Sequence, residues 1–184
     1  MIDYLWYFYN RNKRFKMNHP YVKQSIKGQI AYIEFYHPSH NSLPVDILRK
    51  LVTSIESAGL NKEVKVIVLQ SGGDRTFCAG ASFTELINIK DEESGKVFFS
   101  GFANVINAMR TCPKIIIGRV QGKTVGGGLG IIAASDYCLA TKHAEIKLSE
   151  LKIGIGPFVI GPVIERKIGL SSLSQISLNP TKFF

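Results

Sequence analysis

Two apolar runs, "VKVIVLQSG" (64–72) and "KIIIGRVQG" (114–122), constrain the fold of this chain more than any other feature. Each is short, rich in β-branched residues and closed by glycine, and a segment of helical spacing comes after each. Runs of that kind suit strands buried on both faces, as in parallel sheets joined by helical crossovers. The segments around them agree. "VKQSIKGQIAYIEFY" splits into two runs about Lys27-Gly28, which predicts a hairpin. After Pro44, the residues Ile47, Leu48, Leu51, Ile55 and Leu60 keep helical spacing. A longer helix is predicted over 92–110, with Val97, Phe98, Phe102, Val105, Ile106 and Met109 on one side and Pro113 as its stop. A glycine-rich stretch, a short helix over 129–135, the strand "DYCLA" and one last strand complete the pattern. Such alternation predicts an α/β fold with covered sheet faces.

At 184 residues the chain suits one core domain, placed at 17–184. Residues 1–16, "MIDYLWYFYNRNKRFK", lack an apolar face that continues into the domain and lack the order of a signal peptide, so they are set apart as an extension or an early start before Met17. No apolar run is long enough to cross a bilayer, so no membrane partner is expected. The three cysteines, Cys78, Cys112 and Cys138, form no close pair and point to a reducing, cytoplasmic setting. The net charge of +9 suits an anionic ligand. No basic helix or aromatic RNA-binding pattern accompanies it, so nucleic acid is not an expected partner. His19, His37, His40 and His143 show no metal-ligand spacing, and no metal site is assigned.

The stretch "QGKTVGGGLGIIAASDYCLA" (121–140) poses the functional question, because its glycines admit three mechanisms. A phosphate-binding loop needs four residues between its glycines. Only three separate Gly118 from Gly122, which breaks the ring of amides. A dinucleotide site is the second: Gly128, Gly130 and Ala133 fit the relaxed glycine pattern, with Glu145 or Glu150 as the following acid. The third pairs these glycines with the small-residue turn "TFCAGASFTEL" (76–86). Two such turns, each opening a helix, can aim two backbone N–H groups at one carbonyl oxygen that becomes an enolate. "LSELKIGIG" then supplies Glu150 in an apolar setting, where burial would raise its pKa and fit it for proton transfer near neutrality.

"TFCAGASFTEL", "VQGKTVGGGLGIIAASDYCLA" and "AEIKLSELKIGIGPFVIG" resemble the three signatures of the crotonase superfamily, the enoyl-CoA hydratases and isomerases. "HNSL" resembles that family's Asn-Ala-Leu turn, and the match runs from about residue 21 to 170. The resemblance implies a crotonase-like (ClpP/crotonase) fold, a repeated ββα superhelix. It implies an acyl-CoA thioester substrate whose coenzyme A is part of the substrate, with no separate cofactor. Ala81 and Gly127 would supply the two oxyanion N–H groups and Glu150 the acid/base. Ala79, Gly80, Gly126, Gly128 and Asn41 would line the bound ester. A homotrimer is implied for a full-length form. Here the chain stops at "SLNPTKFF", short of the family's C-terminal helical region, so a truncated core with an open pocket and an incomplete trimer surface is expected.

One position departs from the family. Gly130 stands where a first catalytic glutamate belongs. Hydration of a conjugated double bond is easier with two carboxylates, whereas moving a double bond needs one. A hydratase-type enzyme is the leading assignment on overall likeness, with a single-glutamate enoyl-CoA isomerase, a degenerate CoA-ester binder and, distantly, a dinucleotide-binding protein as alternatives. Cys78 reads as packing rather than a nucleophile, and Glu85 is given no role.

Overall fold

The computed structural model describes residues 19–184, so the proposed 1–16 extension lies outside the described residues. β1 (Tyr21–Lys27) and β2 (Ile30–Tyr36) form the predicted hairpin, antiparallel and turning through Gly28 at φ +58°. From β2 onward the chain repeats strand, strand, helix. β3 (Ser42–Leu43) and α1 (Val45–Leu60) finish the first turn. The second holds β4 (Val66–Ser71), β5 (Thr76–Cys78), β6 (Gly80–Ala81), α2 (Phe83–Ile87) and α3 (Glu92–Thr111). The third holds β7 (Ile115–Val120), β8 (Lys123–Val125) and α4 (Gly127–Ala134). β9 (Tyr137–Ala140), β10 (Ile146–Lys147), a 3-10 turn at Glu150–Ile153 and α5 (Gly161–Ser177) follow.

β4, β7 and β9 of a large sheet are each followed by a strand of a smaller one, β5, β8 and β10, whereas β3, which follows β2, pairs with β6 apart from both. The large sheet has the order β1-β2-β4-β7-β9, parallel from β2 to β9. The smaller one, β10-β8-β5, is parallel throughout, and β3 pairs with β6. This is the repeated ββα superhelix.

The core lies between the large sheet and the helices. Ile33, Phe35, Ile67, Leu69 and Ile116 point inward and are buried against Ile47, Leu48, Leu51 and Ile55 of α1 and Phe102, Val105 and Met109 of α3. Phe35 and Phe77 meet edge to face at 5.3 Å and tie the two sheets together. Two expectations need correction, the covered sheet faces and the helix stripes. The second face of the large sheet is uncovered, with Val66 and Val68 only half-buried and Ile115, Tyr137 and Leu139 exposed, because the helices that pack on it do so from one side. Leu60 ends its helix in solvent, and Val97 sits on the flank of α3 rather than its buried stripe. The terminal phenylalanines are engaged: Phe184 exchanges two 3.0 Å backbone hydrogen bonds with Ile146, and the ammonium groups of Lys123 and Lys147 lie 4.4 and 4.3 Å from the Phe183 ring centroid.

Two polar side chains fix how the turns stack. Glu85 of α2 accepts from Val45 N–H at 3.0 Å, capping α1 where Pro44 offers no side-chain acceptor. That gives Glu85 a structural role. Asn41, buried and in the left-handed region at φ +57°, donates through Nδ2 to Gly72 O and Thr76 O, both at 2.9 Å. Its Oδ1 accepts from His37 N–H at 2.8 Å. The side chain is used up holding the β2–β3 loop to the β4–β5 loop, which corrects its assignment to the bound ester. Asn41→Ala should therefore destabilise the fold by about 2–4 kcal/mol, by removing the donor to buried Gly72 O and the partners of part-buried Thr76 O and His37 N–H. Urea unfolding checks this; unchanged stability with weaker ester binding would return Asn41 to the site.

Candidate active site

Two turns build the site. In the first, β5 passes through Ala79 and Gly80, at φ +94°, into β6, and Ser82 then caps α2 by accepting from Glu85 N–H at 3.2 Å. In the second, β8 runs into Gly126, whose φ of +54° and ψ of −124° are open in practice only to glycine, and α4 starts at Gly127. The turns nearly touch. A Cβ added to Gly80 would lie 3.2 Å from Val125 O and 3.8 Å from Gly127 N.

Each glycine of the second turn makes room for a different neighbour. A Cβ on Gly126 would stand 2.9 Å from Glu150 Oε1. One on Gly127 would strike the Phe102 ring at 2.5 Å, and one on Gly128 would overlap Cys78 Cβ at 2.6 Å. One on Gly130 would meet Ile160 Cγ2 at 2.5 Å. The predicted order is thereby amended: the helix expected over 129–135 begins at Gly127, so Gly127 and Gly128 lie inside its first turn rather than ahead of it. The dinucleotide reading fails on the same contacts, because side chains already occupy the space a pyrophosphate would need at Gly128 and Gly130. Glu145, one acid proposed for that reading, pairs with Lys123 at 3.3 Å. Lys123 and Thr124 belong to strand β8, with Thr124 fully buried, as befits the rejected phosphate loop.

A cavity of about 230 Å³ opens where the two turns meet. Ala79, Gly80, Ala81, Gly126, Gly127 and Glu150 all line it. Gly128 does not; it is a packing glycine beneath Cys78, which corrects its assignment to the bound ester. The rest of the wall is mainly apolar, with Phe83, Leu86, Phe98, Phe102, Val159 and Ile160 prominent. Phe98 and Phe102 read in sequence only as the buried stripe of a helix, and periodicity alone does not separate a core residue from one facing a cavity.

Glu150 is the sole titratable side chain among the described lining residues. It opens the 3-10 turn, and its Oε2 is buried with no hydrogen-bond partner among the described residues. Burial pushes its pKa above the ordinary carboxylate value, while the amides of Glu150 and Ser149 pull it part of the way back. An unpartnered carboxylate oxygen beside an apolar cavity is poised to exchange a proton with whatever enters. Cys78 is no rival: its thiol is wholly buried and pushed up to about 12, so it packs rather than attacks. No group of three or more His, Cys, Asp or Glu residues is arranged to hold a metal among the described residues, and no described helix is long and apolar enough to cross a membrane.

Comparison with known proteins agrees with this geometry. The dehydratase PksH of bacillaene synthase from Bacillus subtilis is 29% identical over 160 residues, covering 85% of this chain and 61% of its own length. The mitochondrial methylglutaconyl-CoA hydratase of Rattus norvegicus is 32% identical over 137 residues, covering 74% of this chain and 43% of its own. A solved enoyl-CoA hydratase from Shewanella pealeana superposes with a TM-score of 0.84 at 26% identity, over 92% of this chain and 64% of that one. The chain thus spans less than two thirds of the length of each of these relatives. Its ββα superhelix is the crotonase fold, and with residues 25–183 matching the family model for enoyl-CoA hydratase/isomerase, the chain belongs to that family.

Proposed function

We propose that this chain forms the core of an enoyl-CoA hydratase-type enzyme, in which Glu150 moves a proton at the carbon beside the thioester carbonyl of an acyl-CoA. The observation that carries the reading is the buried, unpartnered Oε2 of Glu150, beside an apolar cavity at the junction of two glycine-rich turns. The N–H of Gly127, in the first turn of α4, has no carbonyl one turn back to bond. With the N–H of Ala81 across the cavity mouth, it would hold the thioester oxygen as negative charge develops there. Ala79, Gly80 and Gly126 would receive the ester along the main chain. The proton chemistry calls for no cofactor beyond the coenzyme A of the substrate. A cytoplasmic setting is part of the proposal, supported by three unpaired cysteines, and so is a homotrimer for the full-length form.

One observation favours a second reading. With Glu150 as the sole titratable group among the described lining residues, no second group there can deprotonate water. Double-bond isomerisation avoids that need. The carboxylate removes a proton from Cα of a 3-enoyl ester, the electrons rest on the carbonyl oxygen, and the carboxyl returns the proton to Cγ as the double bond moves to Cα–Cβ. Product analysis with crotonyl-CoA, methylglutaconyl-CoA and a 3-enoyl-CoA separates the two. A hydroxyacyl product supports hydration, and a 2-enoyl product from the 3-enoyl ester supports isomerisation.

Glu150→Gln should lower kcat by about 10²–10⁴ while ester binding persists, since it removes the proton carrier and keeps the shape. Near-normal turnover would remove Glu150 from the mechanism. A base with a raised pKa acts only once ionised, so the acid limb of kcat/KM should titrate above the ordinary carboxylate range. Stability should move the other way. Over the interval between the unfolded value, near 4.5, and the raised folded one, the native state binds more protons than the unfolded state, so wild type loses stability as pH rises. Glu150→Gln is exempt, and its stability advantage should open across that interval and level off above it. Thermal unfolding of both proteins across pH reads this directly; a pH-independent difference would mean that the carboxyl is not held neutral by the fold.

A further inference from the structure

We infer that the cavity selects acyl-CoA esters whose acyl group is uncharged and apolar, and rejects acyl groups that end in a second carboxylate. The inference rests on the acyl-CoA reading of the site and goes beyond it by naming the acyl class. No lysine, arginine or histidine lines the cavity among the described residues, so a buried anion would have no counter-charge. Two lining side chains, Ser82 and Ser149, carry hydroxyl groups, and the Ser82 oxygen is already engaged with Glu85 N–H. The space above Gly130 is filled by Ile160, with Ile106 behind it, so the wall there is hydrocarbon. Phe83, Leu86, Phe98, Phe102 and Val159 continue that surface.

A second carboxylate would therefore leave water for an apolar wall, with another carboxyl group, Glu150, as its one titratable neighbour among the described lining residues. The desolvation cost is not offset, and an ionised Glu150 adds repulsion to it. An alkyl chain meets neither cost and gains from burial against the aromatic wall.

Hexanoyl-CoA and glutaryl-CoA test this, because they are of similar length, share the coenzyme A moiety and cannot be hydrated or isomerised by double-bond chemistry. Calorimetric titration of wild type should give glutaryl-CoA binding weaker than hexanoyl-CoA by on the order of 100-fold. Leu86→Arg, at a half-exposed lining position, should narrow or invert that ratio by supplying the missing cation. Equal affinity of wild type for the two esters would overturn the inference whatever the variant does. Failure of every ester to bind would overturn the acyl-CoA reading itself, and the inference with it.

Discussion

The close approach of α4 to β5 and β6 is the contact on which the rest of the site depends. It exists because Gly128 has no Cβ to meet Cys78, and because Cys78 is small enough to accept the helix. That single contact brings the N-terminus of α4 beside the β5–β6 turn, and it sets where Gly126 lies. Gly126 in turn leaves the volume into which Glu150 projects. Main-chain placement comes first, and the acid is fitted to it. A site made this way is rigid at the junction of its two turns, because its parts there are backbone atoms of packed elements rather than mobile side chains.

Glu150 shows the opposite logic. Its surroundings do little for the folded state: Oε2 has no partner among the described residues, and burial opposes its ionisation. Retaining such a group costs stability, as reactive groups in apolar pockets generally do. The fold compensates elsewhere, through the Asn41 bridge between loops, the Glu85 cap on α1 and the Phe35–Phe77 contact between sheets. Reactive and supporting polar groups are thus kept apart in the same molecule, and their burial alone does not distinguish them.

That indistinction explains what could be read from the sequence. Strand and helix order was legible because periodicity is local, and Glu150 stood out as one acid in an apolar segment. The pairing of the two small-residue turns was legible because both precede helices. The individual glycines were not. What fills the missing Cβ of Gly127, Gly128 or Gly130 is Phe102, Cys78 or Ile160, each from another element. Asn41 was placed beside the ester by the resemblance of "HNSL" alone, whereas its hydrogen-bond partners come from a loop that only folding brings near. The open face of the large sheet was misjudged for a related reason: β-branched residues suit a pleated surface whether or not a helix covers it.

The fit of Ile160 onto Gly130 has a consequence for how this chain could change over time. A carboxylate cannot be introduced at residue 130 alone, since its first carbon would collide with Ile160. Shrinking Ile160 alone leaves a void in a packed cluster. Each step is a loss by itself, and only the pair could be tolerated, so the two positions are epistatic. A chain that has closed this contact is held away from a carboxylate at residue 130 by packing alone.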